Sequence, residues 1–382
     1  MDAGTARTDA QAAFRQELRS FTKAHGTSQA VRALLDDPAG YDPAVWKLMA
    51  KQLGLPGLIV GEEHGGSGAG AAEAVIALEE LGAVLLPSPF LPSLLGTVAV
   101  LAGGTAAARI LPAVTDGQRL ALAGAELAGT ELAGTGGEVS AAAGDDGGWR
   151  LTGQVPCVLD GAGASLILVV AGTGDGPALF AVPAGAPGLT TVTLETLDLT
   201  RREARLSFDA VPAELASDPA QAAWLPRVRA LAALAVAAGS LGGIRRCLEM
   251  ATGYAKERTA FGRTIGSFQA VKHMCADMLV DLECTRAAVE HAAKVADRAD
   301  ETGPPGEAAA AELPAACSVA KAYASDAFVR AATTLIQVHG GLGFTWEHDA
   351  HLFYRRAFSD EQLFGDAAAH RAQLAAALVV PA

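Results

Sequence analysis

Cysteine is scarce and unpatterned in this chain of 382 residues: Cys157, Cys247, Cys275, Cys284 and Cys317 form no C-x-x-C pair. An odd, scattered set supports neither a zinc site nor a disulfide framework, and it fits buried thiols in a reducing cytoplasmic setting. Positive charge is short as well. With 29 lysines and arginines against 42 acids the formal charge is -13 and the pI near 5.1. Nucleic acid and anionic membranes are thereby set aside as main partners, since both would be repelled. An anionic ligand has to be met by local arginines. Charged residues make up only 19% of the chain and hydrophobic ones 51%, a balance that predicts heavily buried helices and an oligomer, not disorder.

Export and membrane signals are also lacking. The polar start from Met1 to Asp9 has no apolar signal core. The longest uncharged stretch, between Glu80 and Arg109, is broken by Pro87, Pro89 and Pro92 and weakened at Gly103-Gly104, so no membrane span is expected. No G-x-S-x-G elbow announces a serine hydrolase. The Glu62-Glu63-His64-Gly65-Gly66-Ser67-Gly68 loop is followed by no Lys-Ser/Thr, and it reads as a tight turn between helices, not a P-loop. Glu347, His348, Asp349 and His351 gather metal-ligating types without H-E-x-x-H spacing. A polar helix face explains Glu347 and His351 as well as a metal would, so none is assigned.

What is present is a change of period along the chain. From Thr8 to about Gly117 the pattern is helical, which places an N-terminal α-helical domain at 1-118. From Leu120 to Phe208 it shortens into β-like runs at Trp149–Gly153, Ser165–Val170, Ala178–Val182, Gly188–Thr193 and Ala204–Phe208. These predict a small antiparallel barrel or sandwich as a middle β domain at 119-218. Beyond it, 219-382 reads as a C-terminal four-helix bundle. Its first helix carries Pro226 in the first turn and runs towards Arg258; its second starts at Phe268 with Ser267 as N-cap; its third spans Ala315 to His339; its fourth lies past Asp366. The fold class is α+β multidomain.

Two stretches in the bundle carry chemistry. Arg258-Thr259-Ala260-Phe261-Gly262 has Gln269 downstream, and Gln337-Val338-His339-Gly340-Gly341 precedes Leu342 and Gly343. A guanidinium can fork two donors onto a phosphate, and a glycine pair exposes backbone N–H groups to a second anionic group. Together they resemble the flavin-binding signature of the acyl-CoA dehydrogenase family, R-x-x-F-G, a downstream Q, then Q-x-x-G-G-x-G. The run from Trp46 to Gly66 resembles the family's N-terminal W…LG-L-x-G…P-E-E-x-G-G, so the likeness covers nearly the whole chain. It implies that Arg258, Phe261, Gln269, Gln337, Gly340 and Gly341 bind the adenosine and diphosphate half of an FAD held by a neighbouring subunit. A dimer or tetramer, homomeric or heteromeric, is then a condition of cofactor binding.

The resemblance weakens towards the redox centre. The family's T-E-P-x-x-G-S-D appears only as Ala125 to Glu131, and its K-x-W-(I/V)-(T/S)-(N/D)-G as Val155 to Gly161. Cys157 stands where an aromatic would cover the flavin ring, and Leu159 where a hydroxyl would donate near N5. Desaturation of an acyl thioester needs a carboxylate to take the α-proton while hydride leaves the β-carbon. Phe364 occupies the position of the family's C-terminal glutamate, and the alternative position on the first bundle helix reads Ala230 to Gly239 without an acid. Glu361 and Asp366 are the remaining acids near Phe364; either also fits a solvated or capping carboxylate. The expectations are an FAD-dependent α,β-desaturation of an acyl-CoA or acyl-carrier-protein thioester, with electrons passed to a separate acceptor protein. The alternatives are a silent subunit of a heteromeric dehydrogenase, or a member turned to non-oxidative chemistry.

Overall fold

The computed structural model describes residues 9–124, 139–144, 147–217 and 224–378. The first unit is helical: α1 Asp9–His25, α2 Ser28–Ala33, α3 Pro43–Lys51, α4 Ala71–Gly82, α5 Phe90–Gly103 and α6 Ala107–Thr115. Local chemistry sets the starts. Thr27 accepts from the Ala30 N–H at the head of α2, and Asp42 accepts from Ala44 and Val45 ahead of α3, where Pro43 fills a position that needs no N–H. The Glu62–His64 stretch is a single 3₁₀ turn, as expected. At Gly66 a Cβ would lie 2.1 Å from the Val60 carbonyl oxygen, so only glycine closes it.

The middle unit is a seven-stranded sheet of β1 Leu120–Ala123, β2 Val139–Ala143, β3 Trp149–Leu159, β4 Leu166–Thr173, β5 Gly176–Pro183, β6 Leu189–Thr193 and β7 Glu203–Leu215. Its order β1-β4-β2-β3-β7-β5, with β5 also pairing β4, closes a barrel, and β6 adds to β7. The sheet departs from the antiparallel expectation, because β1 and β2 both run parallel to β4. Neither of these two strands was anticipated. Leu-Ala-Leu-Ala and Val-Ser-Ala-Ala-Ala are alanine-rich and weak in β propensity.

The third unit contains α7 Trp224–Glu257, α8 Gln269–Arg298, α9 Pro304–His339, α10 Ala350–Gln362 and α11 Ala367–Leu378. Three details differ from the sequence reading. Helix α9 starts at Pro304, not Ala315, since Pro304 and Pro305 occupy its N1 and N2 positions and Pro314 is accommodated inside. Ser267 does not cap α8: it belongs to a 3₁₀ turn and donates to Thr264 O, leaving Phe268 as the N-cap residue. The fourth bundle position is shared by α10 and α11, which both pack on α9. Helix α7 is long and apolar enough to cross a membrane, but 72% of its apolar window is buried inside the fold, so it is the core helix of the bundle.

Helices α4 and α7 cross at glycine. A Cβ on Gly82 would stand 2.3 Å from Gly239 O, and one on Gly242 1.9 Å from Glu79 O. This approach lets Glu79 and Glu80, both buried, pair with Arg15 of α1, Arg245 of α7 and Arg286 of α8. Such a knot adds little net stability, yet removing one partner strands a buried charge and costs roughly 3–5 kcal/mol. The barrel is tied on by Arg202, whose Nη2 lies 3.0, 2.8 and 2.7 Å from Leu34 O, Leu35 O and Asp37 O in the turn that follows α2.

Candidate functional site

The up-down-up course of α7, α8 and α9 brings Arg258, Phe261, Gln269, Gln337, Gly340 and Gly341 to one end of the bundle. The rings of Tyr254 on α7 and His339 on α9 stack there at 4.2 Å, and His348 lies 4.3 Å beyond His339. Between α7 and α8 the chain makes a hairpin of β8 Thr259–Ala260 and β9 Arg263–Thr264. Its two turn residues, Phe261 and Gly262, have φ of 51° and 76°. A turn of this kind favours Asn-Gly or Gly-Gly, and a phenylalanine in the left-handed region is strained. Phe261 is also 95% exposed, and among the described residues its one ring neighbour is Phe268, edge-on at 6.1 Å.

The end is open and locally basic. Arg258 is exposed and its guanidinium has no partner among the described residues; Lys256, Arg263 and Lys272 are exposed beside it in sequence, with Glu257 as the one acid between Lys256 and Arg258. Gln337 is exposed, and Gln269 touches only His273 at 3.5 Å. Gly340 has φ 61°, and nothing lies within 4 Å of the Cβ position of Gly340 or Gly341. In three nearby histidines burial disfavours the charged form. Burial lowers His339; burial and then the neighbouring His339 lower His348; burial and then Arg32 take His351 to about 4. Open guanidinium, carboxamides and bare backbone fit the phosphates and adenosine of a dinucleotide, the arginine neutralising charge and Phe261 offering an apolar face.

The Glu347-to-His351 cluster has another use. Asp349 accepts from Ser28 Oγ at 2.8 Å and Arg32 Nε at 2.7 Å, Trp346 packs edge-on to His351 at 4.5 Å, and the group pins α2 to the bundle. Among the described residues no group of His, Cys, Asp and Glu is arranged to hold a metal.

Phe364, Glu361 and Asp366 lie elsewhere, at the corner between α10 and α11. Eighteen residues of α9 separate Lys321, beneath this corner, from His339 at the open end, which is about 27 Å of helix. The acids at the corner are largely engaged. Asp366 Oδ1 caps α11 by accepting from Ala369 N at 2.7 Å; Asp360 is held by Arg201 of the barrel and by Ser240 Oγ at 3.2 Å. Glu361 is half-buried, and its carboxylate has no partner among the described residues. Arg356, buried, pairs with Asp198 at 2.6 Å and also donates to Thr200 Oγ1.

This second polar group, including buried Lys321, was not singled out in the sequence. A lysine inside Ala-Lys-Ala-Tyr-Ala-Ser, on an otherwise apolar helix, was the available signal. Burial lowers Lys321 to about 8, with Asp360, Glu361 and Asp366 opposing the shift and Arg201 adding to it.

At the barrel, Cys157 Sγ donates to Glu203 Oε2 at 3.0 Å; desolvation first, then the glutamate charge, push the thiol up to about 12. Leu159 is buried and Asp160 follows at φ 51°. Asp160 Oδ2 is buried without a hydrogen-bond partner, and burial raises the acid to about 6 against the pull of Arg119. Ala125 to Glu131, expected near the flavin, lie outside the described residues.

Helical domain, barrel and bundle in this order define a flavoprotein oxidoreductase architecture. Residues 8–118 match the description "Acyl-CoA dehydrogenase, N-terminal domain" and residues 230–379 "Acyl-CoA dehydrogenase, C-terminal domain". The chain belongs to the acyl-CoA dehydrogenase family. Acyl-CoA dehydrogenase IpdE2 of Mycobacterium tuberculosis is 34% identical over 92% of this chain and 91% of its own length. A variant of the Tcur3481-Tcur3483 steroid ACAD is 31% identical with a TM-score of 0.85, covering 96% of this chain and 97% of that one. The ChsE4-ChsE5 complex from Mycobacterium tuberculosis is 29% identical with a TM-score of 0.84, covering 99% of each chain.

Proposed function

We propose that this chain is one subunit of a heteromeric, FAD-dependent acyl-CoA dehydrogenase that desaturates an acyl thioester, carried by CoA or a carrier protein, between its α and β carbons. What supports this reading is Phe364, which the resemblance aligns with the family's base, together with Asp360 and Asp366, both engaged in structural bonds. A phenylalanine, here half-buried, accepts no proton, so in this reading the base comes from a partner chain.

The open bundle end is this chain's contribution. Arg258 takes diphosphate charge, Phe261 covers an apolar face of the nucleotide tail, and Gln269, Gln337 and the Gly340-Gly341 backbone complete the grip. The bound FAD supplies the hydride acceptor. Separation of the open end from the Phe364 corner by about 27 Å of helix supports a division of labour, with the tail gripped here and the ring seated in the adjoining protomer. Electrons then leave to a separate acceptor protein. Two of the similar solved structures each carry the names of two proteins, Tcur3481-Tcur3483 and the ChsE4-ChsE5 complex.

A second reading keeps the chemistry in this chain, with Glu361 as base, because its carboxylate alone at the corner is uncommitted among the described residues. Flavin content and bleaching by a panel of acyl thioesters separate the two. The heteromeric reading expects flavin and bleaching only when a second homologous chain is co-expressed. Bleaching by this chain alone refutes it.

A further inference from the structure

Beneath the Phe364 corner lies a cation to which the proposed reaction gives no part. Lys321 is 1% exposed, and its Nζ donates to Ser325 Oγ at 2.8 Å, Asp360 O at 2.9 Å and Glu361 O at 3.1 Å. An ammonium has three donors and no acceptor, so these three acceptors are a full set. The two carbonyls belong to the last turn of α10, where helix geometry leaves carbonyls without N–H partners. An apolar side chain of similar length would fill the space without desolvating a charge. It could not hold two main-chain carbonyls in place.

The opposite side of the corner is held too. His370 Nε2 lies 3.0 Å from Phe364 O, and its Nδ1 3.2 Å from Ser318 Oγ. Between these holds, Phe364 and Gly365 have φ of 57° and 97°. A left-handed phenylalanine persists only where its surroundings over-determine it, and over-determined strain marks positioned elements.

We propose that Lys321 is a positioning residue: it fixes the end of α10, so that the corner carrying Phe364 is held in one conformation. The positioning is read in the lone chain, with no flavin or partner, so it and the function proposed above can fail separately.

The test is hydrogen exchange by mass spectrometry on the full chain, comparing peptides covering 359–368 with peptides from α1 and from the barrel. In Lys321→Met the corner exchanges at least about tenfold faster while the distant peptides keep their rates. Lys321→Arg, which keeps the charge and several donors, restores most of the protection. Should Lys321→Met fail to fold, Lys321→Gln, with one amide donor group, shows the same local loss at smaller size. Unchanged protection at the corner, a rise spread evenly over every peptide, or no rescue by arginine each overturns the proposal.

Discussion

Tyr254 stacks on His339 at 4.2 Å, and this ring pair joins the C-terminal end of α7 to that of α9. Arg258 follows the one helix and Gly340 the other, so two motifs about eighty residues apart in the chain share one surface. That surface is where the proposed nucleotide grip is exposed to experiment.

Arg258 is exposed and unpartnered among the described residues, so its truncation is expected to leave the fold intact, within about 0.5 kcal/mol. Loss of a charged hydrogen-bonding group on phosphate costs about 1.5–3 kcal/mol. Arg258→Ala therefore weakens FAD binding roughly 10- to 100-fold in the assembled protein at an unchanged melting temperature. Flavin-to-protein ratio after dialysis, beside a thermal melt, checks both halves.

Phe261 is strained and exposed, which makes it a point where stability and function part. Phe261→Asn suits the left-handed turn, and we expect the lone chain to gain up to about 1 kcal/mol. The same change removes an apolar face from the nucleotide site and lowers flavin retention. Denaturant melts of the lone chain and flavin content of the assembly should move in opposite directions.

Asp160 gives a pH signature. Its acid is raised from 3.8 to about 6, so the folded state favours the protonated form. Any stability tied to that proton is complete below pH 4 and lost as pH rises through 6. Asp160→Asn, which tolerates φ 51°, is expected to stabilise the protein at pH 7 by at most about 3 kcal/mol and to have no such effect at pH 4. Urea titrations at the two pH values measure it.

Gly242 tests the domain crossing. A Cβ there would press on Glu79 O at 1.9 Å, a backbone atom that cannot swing aside. Gly242→Ala should force α4 and α7 apart and disturb the buried glutamate pair, costing about 3 kcal/mol or more. Retention of the wild-type melting temperature would contradict this account of the interface.

Much of this was legible because periodicity and punctuation are local. The helical pattern of the N-terminal unit and helix α7, with Pro226 in its first turn, announced themselves by apolar spacing, and strands β3 to β7 by short β-like runs between glycine, proline and aspartate turns. Strands β1 and β2 were hidden because alanine carries no β signal; among the described residues β1 also pairs only with the distant β4, although β2 forms a hairpin with β3. The motif residues were visible by type; that they meet at one bundle end depends on helix direction, which follows from short connections. The buried group of Lys321, Asp360, Arg201, Arg356 and Asp198 was not visible. Each of its bonds joins elements far apart in the chain, and charged residues read alone look like surface.

The central claim is that this chain grips the tail of an FAD completed by another subunit that brings the base. The most direct measurement is flavin content and acyl-thioester bleaching of the chain purified alone and after co-expression with a second homologous chain. The account predicts a colourless, folded protein alone and a yellow complex that bleaches, with Arg258→Ala in this chain lowering the flavin content. A lone chain that binds FAD and bleaches fully, or a complex that keeps its flavin in Arg258→Ala, would contradict it.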